Sequence, residues 1–453
     1  MKNVVKVITM DSSKTISEEK DIKKAVRLDE DNIAIRRIKE RCIDCGRCKT
    51  VCENLVGIKY DYTKTKEAVC INCGQCILNC PVGALVPKYD YKKVLDYLHD
   101  TNKTVTISIA PAVRTSIGEG FGLEAGTFLE KQLVGSLKEA GFDYVFDVTF
   151  GADMTVVEEA TELIERLKTK KNLPQFTSCC PAWVKYLEIF HENLRKNLST
   201  TKSPIGILSS LLNTYFLKIK ELDKKDVINV VVVPCTAKKF EIKRTEMGMD
   251  IAITTSELIM LLKESNIDIN KSKEENFDEI FSKGSGSGVI FGSSGGVLEA
   301  TLRCADYLLT GKENNVFLDF KEIRSSDKIK EANVKVGNYH LKVAVVSGMP
   351  NVETILTKLQ DYDFIEVMNC PNGCVGGGGQ ALAPIAKQSE INLKRSEGLY
   401  QDDKMSKIKI SYKNPDVINI YKTYLDYPGS PKALKLLHTN FKDRSSILKE
   451  KSF

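Results

Sequence analysis

The chain has 453 residues, 42% hydrophobic and 28% charged, which is too long for one core and suits two or three globular domains. Its net charge of +6 is spread thinly, with no basic block carrying interleaved aromatics, so nucleic acid is not expected as a partner. No apolar run approaches the roughly 20 residues of a membrane helix, and the start, Met1-Lys2-Asn3-Val4-Val5-Lys6-Val7, shows no cleavable secretion signal.

Thirteen of the 14 cysteines fall in five motifs, and Cys304 stands outside them as a small core residue near Leu302. In a reducing cytosol, thiols clustered in this way argue for metal rather than disulfides. The first motif is Cys42-x2-Cys45-x2-Cys48-x3-Cys52; the second is Cys70-x2-Cys73-x2-Cys76-x3-Cys80-Pro81. Two residues between thiols let a tight loop wrap one corner of a cube, and Gly46 and Gly74 supply backbone freedom. A zinc site would more often use two separate Cys-x2-Cys knuckles.

Both runs resemble those of bacterial two-cluster ferredoxins, in which the fourth cysteine of each run ligates the other cluster. That resemblance implies one [4Fe–4S] cluster on Cys42, Cys45, Cys48 and Cys80, and a second on Cys70, Cys73, Cys76 and Cys52. Glu53 stands where proline often follows the first run. Residues 1–93 are therefore expected to carry a small α+β ferredoxin-like domain acting as an electron relay.

Beyond residue 93 the pattern changes. Val105–Ala110, Tyr144–Val148, Val227–Val233, Val343–Val346 and Phe364–Met368 read as strands, and the stretch 128–140 as an amphipathic helix. Val227–Val233 is almost continuously apolar, as in a strand buried on both faces. Alternation of this kind predicts an α/β fold of mostly parallel sheets with crossover helices over residues 94–394.

Ligands of such sheets bind beyond the carboxyl ends of the strands. Ala110-Pro111, Pro234-Cys235 and Met368-Asn369-Cys370 all begin there, so they should converge on one cleft. Cys180, Cys235, Cys370 and Cys374 supply four thiolates, enough for a third cluster. The run Gly376-Gly377-Gly378-Gly379 either lets backbone close on a cofactor or opens a helix. Gly284-Ser285-Gly286-Ser287-Gly288 looks like a flexible linker, either a loop at the cleft rim or a domain boundary. Residues 395–453 read as a polar helical belt with aromatic anchors.

Three segments, Thr177 to Trp183, Pro234 to Glu241 and Glu366 to Gln380, resemble in that order the signature motifs of the [FeFe]-hydrogenases. The likeness continues through Ala110 to Arg114, Phe150 to Met154, Phe291 to Gly296 and Leu436-Leu437-His438-Thr439. It implies a two-lobed domain holding an H-cluster: a [4Fe–4S] cube joined through a cysteine sulfur to a two-iron unit with CO, CN and dithiolate ligands. On this chain Cys180, Cys235, Cys370 and Cys374 would hold the cube, with Cys374 as the bridge. Ala110, Pro111, Ala112, Val233, Pro234, Lys238 and Met368 would surround the two-iron unit, the lysine and the available amides donating to cyanide. On its own, Lys238 reads as a surface lysine beside Lys239.

The family's proton route starts at a free cysteine. Its matches here are Cys179, Glu159, Ser199, Glu162 and Arg166. Glu159, Glu162 and Arg166 fall at i, i+3 and i+7, which places them on one helix face; without the resemblance this would be an ordinary solvated ion-pair face. Four positions depart from the commonest family pattern: Val233 for methionine, Ala237 for serine, Ile205 for glutamine and Ala381 for proline. Most should line the two-iron pocket or its surroundings, where they tune chemistry rather than decide metal binding.

The resemblance thus implies a cytoplasmic enzyme that interconverts protons and electrons with H2. It would use ferredoxin or a similar low-potential carrier, depend on maturation proteins, and need no membrane. A low-turnover hydrogen sensor and a hydrogenase-like iron–sulfur assembly factor are the rival readings. The retained Cys179 and Lys238, and the lack of a leftover sensory segment, weigh against both.

Overall fold

The computed structural model describes residues 22–449 other than 60, 61, 63, 282, 319 and 326. The first 21 residues, and with them the expectation about secretion, lie outside the described residues.

Among the described residues ten strands follow in chain order: β1 (Ile35–Arg37), β2 (Leu85–Pro87), β3 (Thr104–Ile109), β4 (Tyr144–Asp147), β5 (Gln175–Phe176), β6 (Val227–Val233), β7 (Ile251–Thr254), β8 (Ile329–Val336), β9 (Tyr339–Ser347) and β10 (Phe364–Met368). One sheet has the order β4-β3-β6-β7 and is wholly parallel. The other runs β5-β10-β9-β8 and is parallel except for the antiparallel β8–β9 hairpin. Continuous apolar sequence explains the parallel arrangement: β6 and β10 are buried along nearly their whole length, which a sheet covered by helices on both faces requires.

The helix Val148–Thr169 follows directly on β4 and is buried along most of its length. Its N-terminus is capped by Asp147, whose carboxylate accepts from the Thr149 amide at 2.8 Å. One core joins the lobes through it, running from Val231 and Val233 of β6 through Phe150 and Val157 to Val343 and Val345 of β9. Cys304 is fully buried in that core, as expected.

In the N-terminal domain β1 pairs antiparallel with β2, Ile35 opposite Pro87. Helices Arg47–Asn54 and Gln75–Leu78 start at Gly46 and Gly74, each at φ 74°, a left-handed turn that a side chain would strain. Both glycines sit inside the cysteine runs, so the sharp entry that wraps the thiols is also the start of the helix.

Two glycine-rich stretches differ from expectation. Gly286–Ile290 is a buried helix, neither a rim loop nor a boundary. A Cβ on Gly288 would lie 2.5 Å from the Thr149 carbonyl oxygen, and one on Gly286 would lie 2.1 Å from the Asp403 carboxylate. The glycines there serve close packing rather than flexibility. Among Gly376–Gly379, a Cβ on Gly378 would meet the Cys73 carbonyl oxygen at 2.4 Å, and one on Gly377 the Pro234 carbonyl oxygen at 2.3 Å. This run opens no helix; it threads backbone against backbone between the N-terminal domain and β6.

The C-terminal segment packs on the body as a series of helices. The first, Gln388–Met405, runs across residue 395 without a break, so no linker separates the belt from what precedes it. The segment closes with an isolated bridge between His438 and Thr201.

Candidate functional site

The carboxyl ends of β3, β5, β6 and β10 open on one cavity. Twelve residues singled out in the sequence line it together: Ala110, Pro111, Ala112, Cys179, Cys180, Val233, Pro234, Cys235, Lys238, Met368, Cys370 and Cys374. Val148, Ala152, Pro204, Ile205 and Phe291 complete a largely apolar wall. Of the four departures from the family pattern, Val233 and Ile205 reach the cavity. Ala237, between the lining residues Cys235 and Lys238, and Ala381, next to Gln380, are buried outside its lining.

The donor set suits a cluster. Burial pushes the Cys235 thiol up to about 12, with the neighbouring Cys180 adding repulsion. Burial likewise raises Cys370 and Cys374, which are crowded by Cys235 and Cys180. Four thiolates in an apolar pocket are unfavourable by themselves; a positively charged iron core removes both penalties. Gly373 adds a cradle, since a Cβ there would press to 2.5 Å on the Ser294 amide. Among the described residues no three His, Cys, Asp or Glu side chains close round a single ion; a four-iron cube instead takes its thiolates at separate corners.

Lys238 is not a surface lysine. Its ammonium donates to the Glu241 carboxylate at 2.7 Å and to the Cys179 carbonyl oxygen at 3.0 Å, and so is held at the cavity wall. Sequence reasoning missed Glu241 as its anchor. The amides at 110–112 are fewer than expected. Ala110 donates to the Val232 carbonyl within the sheet, at 3.1 Å, and Pro111 has no N–H. Ala112, in the first turn of the helix Pro111–Arg114, is left with the amide that has no intrahelical acceptor. Gln380 fixes this turn by donating to the Ala112 carbonyl at 3.0 Å while accepting from Ser116 and Thr255.

The proton-route residues also meet. Glu159 is 2% exposed and Arg166 7%, so this helix face is an interior one and not a solvated ion-pair face. Ser199 donates to Glu162 at 3.0 Å, and Arg166 binds the same carboxylate at 2.6 Å. Arg166 is further anchored on the carbonyls of Asn172, Asn197 and Leu198. Burial, reinforced by the nearby Glu162 charge, pushes the Glu159 carboxyl up to about 8, with the Ser199 hydroxyl acting the other way; Glu159 Oε2 has no hydrogen-bond partner among the described residues. Burial holds the Cys179 thiol well above its ordinary value, with Glu159 as its next cause.

A supporting network was not visible in the sequence. Thr200 donates its amide to Glu162 at 2.9 Å, and its hydroxyl meets His438 Nδ1 at 2.7 Å. His438 Nε2 meets the fully buried Glu158 at 2.9 Å, and Glu158 also accepts from the Tyr421 hydroxyl at 2.6 Å. The motif Leu436–Thr439 was the available signal, but nothing in it named a partner.

The two ferredoxin-like runs interleave. The thiols crowding Cys52 are Cys70 and Cys48, and those crowding Cys76 include Cys70 and Cys52. Cys45 is exposed, whereas Cys73 is buried and faces Cys370. Thr236, next to Cys235, donates to the Asn72 carbonyl at 2.7 Å, and Gln75 donates to the Gly376 carbonyl at 2.9 Å. The second run is thereby locked onto the four-thiol cavity.

Residues 103–378 match the family profile for the iron-only hydrogenase large subunit, C-terminal domain, and residues 389–444 match that for the iron hydrogenase small subunit. The chain is 36% identical over 444 residues to the NADP-reducing hydrogenase subunit HndD of Solidesulfovibrio fructosivorans, covering 91% of this chain and 75% of that protein. It is 31% identical over 360 residues to the cytosolic Fe-S cluster assembly factor narfl of Danio rerio, covering 75% and 86%. The solved [FeFe]-hydrogenase HydA1 from Chlamydomonas reinhardtii superposes with a TM-score of 0.69 at 36% identity, over 78% of this chain and 98% of that one. Members of this family carry [4Fe–4S] clusters and an H-cluster, and the thiol set here fits them. The chain belongs to the iron-only, or [FeFe], hydrogenase family.

Proposed function

We propose that this protein catalyses the reversible combination of two protons and two electrons into H2. The observation that carries the reading is the convergence of twelve predicted residues on one apolar cavity, with a buried acid–base chain leading away from it. When bound, the two-iron unit supplies the centre at which protons and electrons combine.

The chain does the remaining work. Cys180, Cys235, Cys370 and Cys374 hold the cube, and the apolar wall excludes water. Lys238 and the Ala112 amide offer donors to anionic ligands in that wall. Cys179 is surplus to the four thiolates and passes a proton to and from Glu159. With its carboxyl pushed up to about 8, Glu159 holds a proton at neutral pH. Ser199 gives its own proton toward Glu162 and so accepts from a protonated Glu159; Arg166 keeps Glu162 in place at the outer end.

Cys42, Cys45, Cys48 and Cys80 would hold a cluster able to accept electrons, with Cys45 exposed to a carrier, and the buried Cys73 of the second run lies near Cys370 of the four-thiol cavity. A low-potential carrier such as ferredoxin suits the net charge of +6 if it is acidic. Among the described residues no helix is long and apolar enough to cross a membrane; we place the protein in the cytoplasm, with maturation proteins supplying the two-iron unit. We divide the chain into the N-terminal region to residue 93, the body from residue 94, and a C-terminal belt that begins with the helix Gln388–Met405 rather than at residue 395. The deciding experiment is infrared spectroscopy with an H2 assay on one anaerobic, matured sample. Bands from metal-bound CO and CN together with dye-linked H2 turnover are expected; their absence after complete maturation overturns the proposal.

A second reading, an iron–sulfur assembly role without the two-iron unit, is favoured by the similarity to the narfl protein. It predicts cubes and no CO or CN bands. A sensor would show those bands with only slow turnover.

A further inference from the structure

Asn72 lies inside the second cysteine run, between Cys70 and Cys73, where the run meets the four-thiol cavity, and it is held at φ 60°. Its amide donates to Cys70 Sγ at 3.3 Å, and its carbonyl accepts from Thr236, the residue after Cys235. Its side-chain oxygen accepts from the ammonium of Lys185 at 2.6 Å. Lys185 projects from the helix Pro181–Phe190, which starts directly after Cys180, and its ammonium rests 4.2 Å from the centre of the Phe240 ring. A lysine is thus built into the gap between two cluster sites.

The arrangement is costly unless its charge is used. Burial lowers the Lys185 pKa, and the Cys70 thiolate is the next influence, acting in the opposite direction. Lys185 donates to a neutral amide oxygen. The neighbouring Glu188 is already bound by Arg244 and Arg444, each at 2.7 Å. Of the negative groups that act on Lys185, the Cys70 thiolate has the largest influence, ahead of Glu188 and Glu67, with the Arg444 cation opposing them.

We propose that the Lys185 ammonium sets the reduction potential of the cluster held by Cys70, Cys73, Cys76 and Cys52, keeping it above the value the thiolates alone would give. The inference rests on cluster binding and not on H2 chemistry. On reduction the cluster accepts one electron from a low-potential donor, takes up no proton and gains one negative charge. A fixed cation beside Cys70 stabilises that added charge, and the surrounding charges and hydrogen bonds are the protein's means of shifting such potentials. Because this cluster adjoins the cube through Asn72 and Thr236, its potential governs how readily an electron moves inward.

The test is a dithionite redox titration, followed by electron paramagnetic resonance, of the full chain carrying its clusters, comparing wild type with three variants. Lys185→Gln keeps a hydrogen bond to Asn72 without the charge, Lys185→Met removes both, and Lys185→Arg keeps the charge. In Lys185→Gln and Lys185→Met, the reduced-to-oxidised ratio of one N-terminal cluster should fall about tenfold at fixed potential, or about 59 mV for one electron. Lys185→Arg should restore it, and the other clusters should not move. Cys45→Ser, which perturbs only the first cluster, assigns the signals. The proposal is overturned if Lys185→Gln titrates as wild type, if every cluster shifts equally, or if Lys185→Arg behaves like Lys185→Met. Loss of H2 activity alone would bear on the proposed function and not on this inference.

Discussion

Gly378 crosses Gly74 with backbone against backbone: a methyl placed on Gly378 would lie 2.5 Å from the Gly74 Cα. These two glycines mark the seam where the N-terminal domain meets the lobe that holds the four-thiol cavity. Nothing larger than hydrogen fits without opening it. Gly378→Ala should cost about 1–3 kcal/mol through overpacking, and it should widen the gap between the second cluster and the cube. Thermal unfolding measures the first effect. For the second, H2 evolution driven by a protein carrier should fall more than evolution driven by a small dye that can reach the cube directly.

Glu159 gives a pH prediction with a definite sign. Its folded carboxyl titrates at about 8, above the ordinary 4.5, so the native state binds more protons between those values. Its contribution to stability is full below about pH 4.5 and is lost as pH rises through about 8. At pH 7 the penalty relative to acid is roughly 3–4 kcal/mol. Glu159→Gln cannot ionise and should flatten this slope, so the variant gains on wild type as pH rises. Urea unfolding from pH 5 to 9 is the measurement, and parallel curves for the two proteins would refute it.

Ser199→Ala tests the proton chain without touching a thiol. The hydroxyl that donates to Glu162 at 3.0 Å disappears, while Arg166 still holds that carboxylate. Turnover should drop by about 100-fold, the usual scale for a positioned proton-transfer group. The CO and CN bands should be unchanged. Cys179→Ala should do at least as much, and a Cys179→Ala protein with full activity would remove the proton route from the proposal.

His438 is expected to matter for stability. It supplies one of the partners of Glu158, whose side chain is fully buried. His438→Phe keeps the bulk and leaves that carboxylate short of a donor, at a cost of about 2–3 kcal/mol. His438→Gln retains a donor toward Glu158 and should recover much of the loss. Differential scanning of the two variants decides this.

The sequence shows the metal-ligating and cavity-lining residues far better than it shows what supports them. Cysteine spacing is local, and β3, β6 and β10 are apolar runs whose ends coincide with motifs, so the cavity could be assembled on paper. The support could not. Thr200 and His438 are 238 positions apart, and Glu158 and His438 are 280 apart. No periodicity links such pairs. Gly284–Gly288 misleads for a related reason: glycine looks the same whether it grants motion or clears space for another chain segment. Here the neighbours are Thr149 and Asp403, and neither is near in sequence.

The bridge between Thr201 and His438, with the Thr439 amide on the Thr200 carbonyl at 2.8 Å, has a consequence for synthesis. The loop that carries Ser199 and Thr200 is completed by His438, 238 positions beyond Thr200. During synthesis this loop waits for a segment made after all four thiols of the cavity have emerged. On the proposed proton route, gathering the thiols and finishing the path past Ser199 are therefore separate events in time.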